Sequence, residues 1–170
     1  MAESGDLESS IIKTFRNSGY RATPQRIAIS RYILSSHSHP TAQKVYGEVK
    51  KDHPTVSLAT IYTTIKALKE MGMIQELNHP QSETRLDPNM EPHLHLICSR
   101  CERISDWMDP EMEDFIARVS DEADFVVTGL RFDLKGICSS CKDDGVGGGS
   151  MTVAGELSRA KDADDSTIQV

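Results

Sequence analysis

All four cysteines of this 170-residue chain fall in two pairs, Cys98-Ser-Arg-Cys101 and Cys138-Ser-Ser-Cys141, and a His93-Leu-His95 sequence runs directly into the first pair. Four thiolates can stand at the corners of a tetrahedron around zinc, and each Cys-x-x-Cys supplies two adjacent corners from one turn. The 36 residues between the pairs exceed the span of a simple zinc ribbon. Closing a longer loop costs only about 0.6 kcal/mol per doubling, so knuckles that clip together the two ends of a small domain fit this spacing. His93 and His95, two apart on an extended segment, leave the same face about 7 Å apart at the backbone. Asp87 just upstream and Asp106 on a neighbouring strand can converge with them on one cation. His39 lies much earlier; if it joins the set, the metal becomes a bolt between two parts of the chain. A lone histidine here would be ordinary strand surface, whereas the cluster favours a metal site. A soft all-sulfur set beside a harder nitrogen and oxygen set suits a protein that keeps one metal and senses another.

The elements that must position these residues come in two blocks. The formal charge of −7 divides unevenly: residues 9–80 carry ten Lys or Arg against four Asp or Glu, and residues 81–170 carry nine against nineteen. A locally basic first block can approach phosphates, and an acidic second block suits cations. No run of about 18 apolar residues and no secretory-type leader is present, so a soluble cytoplasmic protein with no membrane partner is expected. In a reducing compartment paired cysteines bind metal or do redox chemistry more often than they form staples, which makes Zn(II) the default occupant.

Residues 1–8 lack apolar periodicity and read as a flexible arm. From Leu7, Ile11, Ile12 and Phe15 the helical spacing begins, and Gly19 stops it. Thr23-Pro24 opens a second helix as cap and first residue, Thr41 caps a third that buries Val45 and Val49, and Ser57 caps a fourth. Leu58, Ile61, Ile65 and Leu68 share one face of the fourth, and Gly72 closes it. The period then changes to two over residues 73–77 and 84–87, around a turn at 78–82, which gives a hairpin wing. Four helices and a wing describe a winged-helix DNA-binding domain over residues 9–86, with the helix from Ser57 entering the major groove. Residues 87–92, with two prolines, read as a hinge. Residues 93–142 read as a small α/β domain: strands at 93–98 and 103–107, a helix at 110–120, and strands at 125–128 and 130–137. The glycine-rich, acidic stretch 143–170 reads as a disordered tail. The expected fold class is α+β.

For DNA, Tyr62 is a candidate base reader, though a tyrosine there is as often core. Ser57, Thr60, Thr63 and Lys66 offer contacts to bases or phosphates, against a plainer reading as cap or solvated surface. Arg21, Gln25 and Arg26 could anchor the DNA backbone. Lys13, Arg16, Lys50 and Lys51 read as general basic surface.

Five ordered motifs carry a resemblance: Arg21-Ala-Thr-Pro-Gln-Arg26, His39-Pro-Thr41, Ser57-Leu-Ala-Thr-Ile-Tyr62, His93-Leu-His-Leu-Ile-Cys-x-x-Cys101 and Gly136-Ile-Cys-x-x-Cys141. Over residues 9–142 the chain resembles the ferric uptake regulator (Fur) family of homodimeric, metal-responsive transcription regulators, mostly repressors. The resemblance implies structural Zn(II) at Cys98, Cys101, Cys138 and Cys141, and a regulatory metal at His39, Asp87, His93, His95 and Asp106. Aspartate at both 87 and 106, where iron-sensing members carry glutamate, is similar to the peroxide-sensing PerR-like branch. Zinc-sensing relatives bring in a further cysteine, which this chain lacks. Leu94 stands where some members have the acidic residue of an additional site. Thr63, where relatives often carry Arg or Asn, leaves the operator sequence open.

The implied mechanism is a population shift. Fe(II) or Mn(II), with Zn(II) also suited, would favour one angle between the domains, and in a homodimer that angle sets the spacing of the recognition helices on a double-stranded operator. A full switch needs about 5.5 kcal/mol of preference. By resemblance, peroxide reacting with bound Fe(II) would oxidise His39 or His93. The expectation is a regulator, not an enzyme, with no small-molecule substrate beyond metal and peroxide. The rivals are an iron-responsive repressor of iron uptake genes, a zinc protein regulated through its thiols, and a metallohydrolase using His93, His95 and a carboxylate.

Overall fold

A computed structural model describes residues 3–77 and 83–142, and the expected turn at 78–82 and tail at 143–170 lie outside them. The element order is α1 (Glu3–Asn17), α2 (Pro24–Leu34), α3 (Ala42–Asp52), α4 (Leu58–Glu70), β1 (Gln75–Leu77), β2 (Arg85–Asp87), β3 (Leu94–Cys98), β4 (Ile104–Trp107), α5 (Met112–Glu122), β5 (Phe132–Gly136) and α6 (Ser139–Lys142).

The capping hydroxyls act as their positions imply. Thr23 accepts from the Arg26 N–H, Thr41 from Lys44 and Ser57 from Thr60, each satisfying an orphan donor of a first turn. Gly19 and Gly72 take left-handed φ of 77° and 66° after α1 and α4, a conformation glycine adopts without steric cost. Between the helices Ile11, Phe15, Ile29, Ile33, Val45, Ile61 and Leu68 are completely buried. Each such side chain contributes about 1.5–3 kcal/mol by leaving water. Leu86 of the wing closes the same core. β1 and β2 pair antiparallel, with Gln75 opposite Asp87. This is the four-helix, two-strand architecture expected of the first block.

The second block is a three-stranded sheet of order β4-β3-β5, with β4 antiparallel and β5 parallel to the central β3. It has little core of its own, and Met112 and the cysteines Cys98 and Cys141 are its buried apolar residues. One sheet face carries Leu94, Leu96, Phe132 and Leu134, with Leu96 opposite Leu134 and the Phe115 ring of α5 tilted against Phe132, centres 5.8 Å apart. Leu134, Trp107, Phe125 and Val126 remain 55–80% exposed.

Three expectations need correction. The arm at 1–8 is largely helix, since α1 starts at Glu3 and its early turns are held by Leu7 against the core and by Glu8, 3.7 Å from Arg31. Asp87 ends β2 and is fully buried, so it is a strand residue and no part of the hinge. No strand forms at 125–128, where Val126 is 80% exposed. β-Branched residues favour strand only where a neighbour supplies a ladder to join, and among the described residues β5 pairs with β3 alone.

Candidate metal centres

Cys98 ends β3, Cys101 closes the following turn, Cys138 follows β5, and Cys141 lies on α6. Parallel pairing sets Cys98 opposite Gly136, and the Ser99 N–H donates to the Gly136 carbonyl at 2.8 Å, so both knuckles meet at one end of the sheet. The four Sγ atoms lie within 4.8 Å of one another, Cys101 and Cys138 at 3.7 Å, and none forms a disulfide. Thiolates about 2.3 Å from a tetrahedral ion stand about 3.8 Å apart, so the spacing fits zinc. Backbone N–H groups of Cys138, Cys101 and Arg100 lower the Cys98 thiol to about 5. Hydrogen bonding to Cys138, burial and the other cysteines push Cys141 up to about 12. One thiol ionises readily and another resists, an opposition that a shared cation would relieve.

The second cluster gathers at the other end of β3. His95 is opposite Asp106 on β4 and opposite Asp133 on β5, so the three residues form one row across the sheet. His93 precedes β3 on the same face. The helical block supplies His39 and Asp87. Its Pro40 carbonyl accepts from the Leu86 N–H at 3.0 Å, and Thr41 bridges Arg85, which ties the α2–α3 loop to the strand ending in Asp87.

His39 Nε2 lies 3.0 Å from Asp106 and 3.6 Å from Asp87. His93 Nε2 is 3.3 Å from Asp87 and 2.9 Å from His95 Nε2, and His95 Nε2 is 3.2 Å from Asp87. Donors at right angles about 2.1 Å from an ion stand about 3 Å apart, so these separations fit a divalent cation. His39, His93, His95 and Asp87 are each at most 4% exposed, and neither ring nitrogen of His39 has a hydrogen-bond partner. Buried polar atoms without partners are rare and costly. His39 also takes a left-handed φ of 47°, a strained backbone for a non-glycine residue. A cation held among these groups would give the His39 imidazole the partner its ring nitrogens lack.

The electrostatics match. Burial works against the Asp87 charge, but His39, His95, the Asn89 N–H and Gln75 outweigh it and hold the carboxyl well below the usual carboxylate range. Burial likewise opposes charging of His95, yet the hydrogen bond to Asp87 and the fields of Asp87, Asp106 and Asp133 raise its pKa. Negative charge gathered around three imidazoles is a site built for a cation.

Sequence reasoning missed the residues that hold the ligands. Asp133 Oδ1 lies 3.4 Å from His95 Nδ1, and Arg131 grips the Asp133 carboxylate at 2.9 and 2.7 Å. Gln75 Nε2 donates to Asp87 at 2.7 Å, and the Glu91 carbonyl lies 2.7 Å from His93 Nδ1. Only the alternation Arg131-Phe-Asp133 offered a signal, and the parallel register that gives it meaning is not local.

The DNA candidates lie apart from both clusters. Tyr62 is 54% exposed on α4, with Thr63 and Lys66 beside it. Ser57 Oγ caps the helix by accepting from the Thr60 N–H at 3.1 Å and also bonds the Thr60 hydroxyl at 2.9 Å, and Lys66 stands 3.8 Å from Glu70. At the start of α2, Gln25 donates to Thr55 Oγ1 at 3.0 Å, Arg26 donates to the Arg21 carbonyl at 3.1 Å, and Arg21 is exposed. Among the described residues no helix is long and apolar enough to cross a membrane.

A family model described as the Ferric uptake regulator family matches residues 17–135. The peroxide-responsive repressor PerR of Staphylococcus epidermidis is 40% identical over 140 residues, covering 82% of this chain and 93% of that protein. The Campylobacter jejuni peroxide stress regulator is 29% identical, with a TM-score of 0.65 over 77% of this chain and 98% of its own. The Helicobacter pylori ferric uptake regulator superposes over 82% of this chain and 93% of its own with a TM-score of 0.69; at 18% identity that likeness speaks for the fold alone.

Proposed function

The chain belongs to the ferric uptake regulator family, and on that premise we propose that it is a cytoplasmic, homodimeric, metal-dependent repressor released from its operator by peroxide. The observation that carries this reading is the convergence of donor atoms of His39, His93, His95 and Asp106 within 4.8 Å of one another, with Asp87 3.2–3.6 Å from the three imidazoles, from both sides of the linker at 87–92. Cys98, Cys101, Cys138 and Cys141 would hold structural Zn(II). His39, Asp87, His93, His95 and Asp106 would hold Fe(II) or Mn(II), for which such nitrogen and oxygen donors are suited. When bound, the ion supplies a bond between the two blocks and, as Fe(II), the electrons that reduce peroxide.

The chain's own residues do the rest. His39 and Asp87 hold the 9–86 domain to the 93–142 domain, and Asp133 and the Glu91 carbonyl keep His95 and His93 aimed inward. The apolar face with Leu134 and Trp107 is the surface a second copy would cover, and covering it would supply the core that the sheet lacks. Fixing the interdomain angle then fixes the spacing of two α4 helices, and half-sites on duplex DNA accept only one spacing. Tyr62, Thr63 and Lys66 face outward to read bases and phosphates, and Arg21, Gln25 and Arg26 anchor the backbone.

Two features favour peroxide over iron level as the signal: aspartate at both 87 and 106, and likeness at 40% identity to a peroxide-responsive repressor. Five protein donors around one ion leave little room for a substrate, which favours regulation over hydrolysis. The test is fluorescence anisotropy on operator-length duplex DNA with added Fe(II), Mn(II) or Zn(II), before and after one equivalent of peroxide. Metal-dependent affinity that the Fe(II) form alone loses to peroxide is expected. DNA affinity indifferent to metal would overturn the regulator reading, and an Fe(II) form that keeps its affinity after peroxide would leave the iron-responsive alternative.

A further inference from the structure

Asn89 lies between β2 and β3, and its hydrogen bonds run to Asp87 on one side and to the turn before His93 on the other. Its backbone N–H donates to Asp87 Oδ1 at 2.9 Å. Its carbonyl accepts from Gln75 Nε2 at 3.3 Å, the same group that donates to Asp87 Oδ2. Its side-chain Oδ1 accepts from the Glu91 N–H at 3.1 Å, and the Glu91 carbonyl is the group facing His93 Nδ1. Its Nδ2 points at Met108 Sδ, 3.6 Å away and two residues beyond Asp106. The backbone of Asn89 thus braces Asp87 of the helical block, while its side chain, through the Glu91 turn behind His93, fixes where that backbone lies and touches the exit of the strand that carries Asp106.

We infer that Asn89 is a positioning residue: it locks the linker so that Asp87 and His93 meet at one geometry, and thereby sets the affinity of the cluster for a divalent cation. The inference rests on the metal reading above. Asparagine suits the task because a neutral amide offers an acceptor to the N–H two residues on and a donor in the opposite direction. Partners of metal ligands change affinity about 10- to 100-fold when removed, without touching the ion.

The test compares the full, zinc-containing chain with Asn89→Ala and Asn89→Ser, using Mn(II) as the probe and the paramagnetic resonance signal of free Mn(II) as the readout. Alanine removes the acceptor, whereas serine keeps a neutral hydroxyl able to take the same N–H. Alanine should weaken Mn(II) binding about 10- to 100-fold, and serine should recover most of the loss. The thermal midpoint without Mn(II) should stay within about 2 °C in all three, as for a polar substitution outside the core. An alanine variant within twofold of the parent, a serine variant no better than alanine, or a Mn(II)-free midpoint that falls along with affinity would each overturn the inference. If the parent itself leaves Mn(II) free, the metal reading falls first and takes this one with it.

Discussion

His39→Ala separates what the cluster does for the fold from what it does for an ion. The imidazole is 1% exposed, and its Nε2 stands 3.0 Å from Asp106 and 3.6 Å from Asp87 without forming a hydrogen bond, so in the Mn(II)-free chain its removal costs an electrostatic contact with two carboxylates but no formed hydrogen bond. That contact and the packing against His95, ring centres 5.5 Å apart, are set against removal of a buried polar group whose nitrogens form no hydrogen bond. The two nearly cancel, to within about 1 kcal/mol. The strain of the left-handed backbone is common to histidine and alanine. With Mn(II) the balance differs. If losing one of five donors weakens binding about 100-fold, the upper figure for mere partners of ligands, linkage gives the size of the effect. At free Mn(II) about a thousandfold above the parent's Kd, binding stabilises the parent by about 4 kcal/mol and the variant by about 1.4. For a chain of this size about 1 kcal/mol moves the midpoint 3–4 °C, so Mn(II) should raise the parent by about 14 °C and the variant by about 5 °C. Scanning calorimetry at buffered free Mn(II) reads both shifts. Anisotropy on the same samples should show metal-dependent DNA affinity in the parent and its loss in the variant. Equal Mn(II)-induced shifts in the two proteins would refute the argument that His39 ties the helical block to the sheet through an ion.

Other outcomes follow from the same geometry. Cys141→Ser should drop zinc content, assayed with a chromogenic chelator, from one per chain to near zero and abolish slow amide exchange in β3 while leaving it in α4; retained zinc would show that the four thiols do not act together. In the Mn(II)-free chain the Asp87 contribution to stability is present above the unfolded carboxylate value near 4 and lost as pH falls through its depressed folded value. The His95 contribution is full below about 6.5 and lost as pH rises through its raised folded value, so the midpoint should be higher at pH 6 than at pH 8.5. With Mn(II), which needs neutral imidazoles, calorimetry should show that order reversed. Peroxide at one equivalent should add one oxygen to a peptide containing His39 or His93 in the Fe(II) form and none in the Mn(II) form, read by mass spectrometry; unmodified histidines would remove the peroxide assignment. Ile61→Ala, at a completely buried position of α4, should cost about 2–5 kcal/mol in chemical denaturation.

What could be read from the residues was what neighbours in sequence determine. Thr23, Thr41 and Ser57 announce their helices because a cap needs only the residue three positions on. Gly72 marks a helix end because the left-handed turn there is local. Each Cys-x-x-Cys is likewise a single turn, and aspartate at 87 and 106 is plain in the string of letters. Asp133 was invisible because its meaning depends on β5 lying parallel to β3 in one register, across a crossover that no local pattern reports. The segment 125–128 misled for the same reason in reverse, since Val126, Val127 and Thr128 have the composition of a strand but no neighbouring ladder among the described residues. His39 stood out as a residue type, while the positive φ that aims it, and the bond from Leu86 to Pro40 that anchors it, came only with the structure.

The central place of β3 bears on how the chain comes into being. Synthesis delivers His39, Asp87, His93, His95 and Asp106 before Cys138 and Cys141 exist. A nascent chain ending at Asp106 therefore holds every proposed sensing ligand but only half of the thiol knot, and it lacks the strand that brings Asp133 behind His95. A chain of that length would have its four helices but only an unframed version of the proposed sensor. On the proposed function, competence to respond would arrive last, with the final knuckle, and a stop codon shortly before residue 138 would silence it without deleting a single proposed sensing ligand.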